Sequence, residues 1–260
     1  AACALAGLVD AQVESVNIVG YNNVTIDKQW TIIAANFEAV GGGAIAIQDA
    51  FPYSDGMTKG NTTATADVLQ IQNAVGGYDT YYLSNGKNAK GATVAGLDGK
   101  WAAGGTYSPT TATIVSGTAL WYNARNPSST LKITVAGQAL TTAASDMPIN
   151  LTWKHIANPY PTDLPLNDGI PYTDGMTKGN TTATADMIQI QNATGGYDTY
   201  YMSNGKNAKG ATVAGLENKW AQAGQYTPTT TGMIPVGAGA WYLRRGSTDF
   251  TVQVVRPYAL

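Results

Sequence analysis

The chain carries one histidine and one cysteine, which removes most nucleophile and metal chemistry at the outset. His155 lies in "LTWKHIANP", a segment that reads as a strand, and any Ser-His-Asp relay would have to use it. Its counterpart in the first half of the chain falls near Ile33, so only one half could be active. We expect His155 to be a packed strand residue. Cys3 sits in an apolar opening stretch and is a still weaker nucleophile candidate.

Paired acids recur. Asp49 and Asp55 return as Asp168 and Asp174. Two carboxylates hydrolyse a glycoside only at a fixed separation, and a proline-containing loop fixes none. Asp is also common in turns for its local hydrogen bonds, which is the reading we favour. Asp55, Asp67, Asp174 and Asp186, with backbone carbonyls, are weak calcium candidates, because a hard cation takes oxygen ligands. No EF-hand or nonapeptide spacing accompanies them. The expectation is no cofactor, calcium being the one ion in question, and no catalytic residue or enzymatic activity.

Aromatics are the more serious candidates. Tyr53/Tyr172, Tyr81/Tyr200, Trp101/Trp220 and Tyr107/Tyr226 appear in both halves. Exposed rings stack on sugar faces, and Tyr53, Trp101, Tyr172 and Trp220 would then serve a bivalent carbohydrate-binding module that gains from two linked sites. The competing reading, which we favour, is that these rings fill a β core or a subunit interface.

The elements that must position these residues come in two sets. "DGMTKGNTTATAD" at 55–67 returns letter for letter at 174–186. The match runs without a gap to Trp101 and Trp220, differing only at Val68/Met187, Leu69/Ile188, Val75/Thr194, Leu83/Met202, Asp98/Glu217 and Gly99/Asn218. It persists more loosely in "IVSGTALWY" against "IPVGAGAWY". The repeating unit is about 120 residues, far longer than a solenoid repeat, and each copy is domain-sized.

Periodicity makes these units β. "VLQIQN" places Leu69 and Ile71 on one face and Gln70 and Gln72 on the other; "YDTYYLS" and "LKITVAG" alternate likewise. "WTIIAANF", "INLTWKHIA", "ALWYNAR", "AWYLRR" and "FTVQVVR" are rich in β-branched and aromatic residues. Asn85-Gly86 and Asn204-Gly205 suit tight turns with positive φ. "TTATADVL" is the best candidate for a short helical turn. The expected fold is all-β: two tandem duplicated antiparallel β-sandwich or barrel domains, at 12–135 and 136–260, sharing a junction strand.

That junction, "LKITVAGQAL", resembles both the end of the chain, "FTVQVVRPYAL", and its start, "VNIVGYNNV". One internal strand is therefore expected to close the first copy and open the second. At the termini it would be split, leaving two sheet edges that template pairing with another chain. A head-to-tail join of this kind makes a filament unless its rotation closes. The residues expected to carry it are Val16, Ile18, Val19, Tyr21 and Val24 at one end and Phe250, Val252 and Val254 at the other.

Apolar residues make up 44% of the chain, enough for a core, but charged residues only 12%, about half of the usual ~25%. Such a surface repels copies of itself weakly. A net charge of −2 without a basic stripe argues against a nucleic-acid partner. Residues 1–11, "AACALAGLVDA", read either as the end of a secretory signal or as an apolar interaction segment, and no ~20-residue transmembrane run follows. Both readings imply export. Asn-X-Ser/Thr triplets begin at Asn23, Asn61, Asn150, Asn180 and Asn192, as a Thr- and Asn-rich composition produces without selection.

"VNIVGYNNVTI" after a signal-like start, "ADVLQIQN" with "GGYDTYY" and a later "KW", and "IPVGAGAWYLRR" before a closing strand resemble uncharacterised secreted or surface β-repeat proteins of environmental Gram-negative bacteria. The resemblance implies placement outside the cell or on its surface. The expected function is that of an exported structural protein, assembling with copies of itself into an extracellular filament or surface layer, with glycan binding as the alternative.

Overall fold

A computed structural model describes residues 18–126 and 130–259. The expected Val16, Cys3 and the segment 1–11 lie outside the described residues. Nearly everything described is strand, turn or loop. In the first half the order is β1 (Val19–Ile26), β2 (Trp30–Ala35), β3 (Ile45–Ala46), a one-turn helix α1 (Ile47–Ala50), β4 (Val68–Gln72), β5 (Tyr78–Leu83), β6 (Trp101–Ala103), β7 (Thr113–Ile114), β8 (Thr118–Asn123) and β9 (Leu131–Gln138). The second half runs β10 (Ala144–Ile149), β11 (Trp153–Ala157), β12 (Leu164–Pro165), α2 (Leu166–Gly169), β13 (Met187–Gln191), β14 (Tyr197–Met202), β15 (Trp220–Gln222), β16 (Met233–Ile234), β17 (Gly239–Leu243) and β18 (Phe250–Val255).

Each half is an antiparallel β-sandwich. A five-stranded sheet, β2-β8-β4-β5-β6 in the first half and β11-β17-β13-β14-β15 in the second, is open rather than closed into a barrel. A two-stranded ribbon, β1-β9 or β10-β18, covers one face of it. The ribbon residues Val24, Ile26, Ile133 and Val135 share one core with Ile33, Leu69, Leu120 and Tyr122 of the sheet. Met147, Ile149, Val252 and Val254 do the same over Ile156, Ile188, Ala240 and Tyr242. Alternation in β9, buried at Leu131, Ile133 and Val135 and exposed at Lys132, Thr134 and Ala136, is what a ribbon with one wet face requires.

The shared junction strand is not there. Residues 131–138 and 144–149 form two successive strands, and the expected boundary at 135/136 falls inside β9. All eight residues of β1 pair with β9, from Val19–Gln138 to Ile26–Leu131, and all six of β18 pair with β10. Both terminal strands are thus already paired within their own halves rather than being two parts of a split strand. The sequence likeness that suggested sharing has another cause: β9 matches β18, and β1 matches β10, as corresponding ribbon strands.

"TTATADVL" is not helical; residues 62–66 turn, and β4 starts at Val68. Among the described residues no helix is long and apolar enough to cross a membrane.

Candidate functional site at the seam between the halves

The uncovered faces of the two five-stranded sheets meet. Alternation sends Ile33, Leu120, Ile156 and Tyr242 into the separate cores and turns Ile32, Ala34, Ala119 and Ala157 to a common seam. Approach there is close. A Cβ on Gly239 would lie 2.6 Å from Ile32 Cγ2 and 2.8 Å from Ala119 Cβ, so this position tolerates only glycine without movement. Four tryptophans line the seam edge to face: Trp30–Trp121 at 5.8 Å, Trp121–Trp241 at 6.3 Å and Trp153–Trp241 at 5.9 Å between centroids.

Side-chain amides complete the join. Gln72, at the end of β4, donates from Nε2 to Trp153 O at 2.9 Å and accepts at Oε1 from His155 N–H at 2.8 Å. Gln191, at the end of β13, donates to Trp30 O at 2.9 Å and accepts from Ile32 N–H at 3.3 Å. Each carboxamide imitates a peptide of a neighbouring strand and closes an edge that would otherwise show free N–H and C=O groups. The opposite edges are closed in the same way from within each half. Gln48 accepts from Trp101 N–H at 3.0 Å and donates to Trp101 O at 2.7 Å, and Asn167 accepts from Trp220 N–H at 2.7 Å and donates to Trp220 O at 3.2 Å. All four outer edges of the five-stranded sheets carry such an amide.

His155 faces the seam from β11, 5% exposed, with its ring 3.9 Å from that of Trp241 and 5.7 Å from those of Trp121 and Tyr78. Its register partner is Trp241, as Trp121 is the partner of Ile32, so its counterpart is Ile32 and not Ile33. Neither ring nitrogen has a hydrogen-bond partner among the described residues, so no acid orients the ring as a relay would need. Burial, with a smaller push from the neighbouring Lys154 charge, lowers its pKa to about 4. Burial also lowers that of Lys154. Both residues line a cleft of about 350 Å³ between the halves, walled by residues 113–119, Ser145–Pro148 and β11.

The other anticipated residues lie away from this cleft. Asp67 and Asp186 are buried. Asp67 accepts from Thr58 N–H at 3.0 Å, Tyr122 O–H at 2.6 Å and Arg125 N–H at 2.7 Å. Asp186 accepts from Tyr242 O–H at 2.8 Å and Arg245 N–H at 2.6 Å. Burial raises the pKa of Asp186 against the opposing pull of these bonds. Asp55 and Asp174 are exposed at the start of the same loops. Among the described residues no three His, Cys, Asp or Glu side chains converge as a metal site. The repeated phrase is thus a loop whose last residue, an aspartate, ties its third residue on from Asp55 and the end of β8 together.

Trp101 and Trp220 are fully buried, and their indoles donate to Phe51 O at 2.6 Å and Ile170 O at 2.7 Å, so neither ring face is open to a sugar. Tyr53 is exposed and Tyr172 half-buried, each under a lysine: Lys59 Nζ lies 5.0 Å from the Tyr53 centroid and Lys178 Nζ 4.9 Å from that of Tyr172. Of the anticipated assembly residues, Val24, Val252 and Val254 are core and Phe250 is half-buried, while Ile18, Val19 and Tyr21 are exposed. The edge-closing glutamines were not anticipated as functional. Their signal was the polar face of "QIQN", which alternation had set opposite Leu69 and Ile71.

Comparison with family models, with curated proteins and with solved structures finds no match to this chain.

Proposed function

We propose that this is an exported, non-enzymatic structural protein made of two copies of one β unit, which joins copies of itself head to tail through the outer edges of its terminal strands. The reading rests on one observation: the other prominent edges carry a device that blocks pairing, and the outer edges of β1 and β18 do not. Ala139 N–H donates to Ile18 O at 2.7 Å, which by period two points the N–H and C=O groups of Val19, Tyr21, Asn23 and Thr25 away from β9. Among the described residues nothing bonds to them. In β10 the matching positions of Asn23 and Thr25 are Asp146 and Pro148. A charge and a missing donor are standard protections of an edge strand. On β9 the outer edge carries Lys132 and is taken at Gln138 by Glu38, which exchanges two bonds with it at 2.8 and 2.9 Å. The edge of β1 adds exposed apolar surface, with Val19 61% and Tyr21 73% exposed.

The outer edge of β18, bearing Thr251, Gln253 and Val255, likewise has neither proline nor charge and is the matching acceptor. A β1-to-β18 join is heterologous and propagates. The signal-like opening supports placement outside the cell, and the low charge of the chain leaves little repulsion between copies. The test transplants the protections of β10 onto β1. Full-length chain is compared with Asn23→Asp/Thr25→Pro by sedimentation and negative-stain microscopy. Concentration-dependent polymers are expected for the first and monomers of unchanged thermal stability for the second. A wild-type chain that stays monomeric at about 100 μM, a concentration well above a micromolar Kd, overturns the reading. So do polymers that persist in the variant.

A further inference from the structure

Beside the seam, on the sheet face turned away from the core, the two halves differ. Asn123 of β8 and Val68 of β4 are register partners, and their counterparts are Leu243 and Met187. Gly104, just after β6, corresponds to Ala223: their N–H groups donate to Thr80 O and Thr199 O, each at 2.8 Å. In the second half, Met187 and Leu243 join one buried apolar cluster with Tyr201 and Leu216. In the first half, Val68 keeps its place beside Tyr82 and Leu97, but the polar Asn123 stands outside that cluster. Two of the three replacements make the first half smaller, and the third makes it polar. There the face carries a groove of about 450 Å³.

Alternation and register bring the groove's lining together. Leu69 and Tyr122 point into the core, so Val68, Gln70 and Asn123 point away from it. Trp30 is the register partner of Asn123 on β2, and Thr80 that of Gln70 on β5. The Trp30 indole, 37% exposed, forms one wall. Gln70 donates from Nε2 to Thr80 Oγ1 at 3.4 Å, and its Oε1 has no partner among the described residues. Asn123 is buried, with Oδ1 closed off and unpartnered, which leaves Nδ2 as the end of the amide nearer the groove. Arg125, held by Ala66 O and Thr63 O, closes one end and is the single charged residue of the lining. An amide without partners is costly at a place where the other half fits a leucine, and native structures rarely keep one without a reason.

We propose that this groove binds one sugar unit of a glycan, its ring against Trp30 and its hydroxyls on the Asn123 and Gln70 amides. A pyranose has an apolar face and a rim of groups that both donate and accept. An indole beside side-chain amides and a hydroxyl matches both properties. The volume falls within the ~300–1,000 Å³ of small-molecule sites. The inference is independent of the assembly reading.

The test is saturation-transfer NMR on full-length chain, which observes the sugar and therefore works whether or not the chain polymerises. The probes are glucose, galactose, N-acetylglucosamine and glucuronate, with glycerol as the polyol control. Saturable transfer to the ring protons of at least one sugar is expected. Preference for glucuronate over glucose identifies an acidic glycan held also by Arg125, and the absence of that preference a neutral one. Asn123→Leu/Val68→Met installs the residues of the second half, and affinity is expected to fall at least about tenfold. Gly104→Ala is the second variant. Its Cβ would lie 3.5 Å from Thr63 Cγ2 and from Thr80 O, an ordinary contact, so it narrows the groove without disturbing the fold and should also weaken binding. Failure of all four sugars to saturate by about 50 mM, far above a millimolar Kd, overturns the proposal. So does equal transfer to glycerol, or unchanged affinity in the folded double variant.

Discussion

Gln72 and Gln191 make the same pair of hydrogen bonds in opposite directions across the seam. Gln72 reaches from the first half to Trp153 and His155, and Gln191 from the second half to Trp30 and Ile32. Neither half can close the edge strand of its own five-stranded sheet on this side. Each supplies the other's missing neighbour, which ties edge protection to docking of the halves.

Removal of either amide should therefore cost stability. Gln72→Ala and Gln191→Ala each leave one N–H and one C=O at the seam without a protein partner. A loss of about 1–2 kcal/mol apiece is expected in urea unfolding, reduced where water reaches the freed groups. The double variant should lose more than either single one. A change within error for both singles would mean that the tryptophan contacts alone hold the seam.

Acid should weaken the same seam. Trp241 of β17, Trp121 of β8 and Tyr78 of β5 face the His155 ring, Lys154 is its charged neighbour, and among the described residues no carboxylate contacts it. With the folded pKa lowered to about 4 from an ordinary 6.5, the unfolded chain binds the proton more readily between those values. Stability is then fully present above pH 6.5, falls as pH drops through the window, and is lost below about 4. The span corresponds to about 3 kcal/mol. His155→Ile should flatten this part of the stability-pH curve, as measured by urea midpoints from pH 7 to 4. An unaltered curve would place the acid sensitivity elsewhere.

Gly239 tests how tightly the sheets must approach. Gly239→Ala drives a methyl group against Ile32 and Ala119, and overpacking of this kind costs about 1–3 kcal/mol. The matching residue on the other sheet is Ala119, so Gly239→Ala with Ala119→Gly should recover much of the loss. Thermal unfolding of the three variants measures it, and failure of the pair to recover would show that the contact with Ile32 dominates.

Strands were legible in the sequence because burial of one face imposes period two, as Leu69 and Gln70 show. What was not legible depends on partners far along the chain. Trp101 reads as well for a sugar platform as for a core, and only the carbonyl of Phe51, carried over it after α1, decides. "TTATADVL" has a plausible helix cap, but Thr65 Oγ1 takes the Asn61 and Thr62 N–H groups, at 3.2 and 3.3 Å, in competition with a helical turn. The junction was misread because two ribbon strands lie only five residues apart, and likeness to both termini fits two adjacent strands as well as one shared strand. The cleft could not be read at all, since Gln72 and His155 meet only when the sheets stack.

Asp67 gives the last prediction. Its carboxylate gathers donors from Thr58, from Tyr122 and from Arg125, and Arg125 also donates from Nε to Ala66 O at 2.9 Å and from Nη2 to Thr63 O. One buried charge therefore fixes both ends of the repeated loop onto β8. Asp67→Ala strands three donors and should cost about 3 kcal/mol or more, whereas Tyr122→Phe removes one bond to a charged acceptor and should cost about 1.5–3 kcal/mol. Burial and the Asp67 charge both raise the Tyr122 pKa, so this donor holds its proton to a higher pH than an ordinary tyrosine. Because these carboxylate oxygens are engaged by protein donors, a chelator should leave the thermal midpoint unchanged. A midpoint that falls on chelation and returns with calcium would instead place an ion at the loop, with the exposed Asp55 as its first ligand to examine.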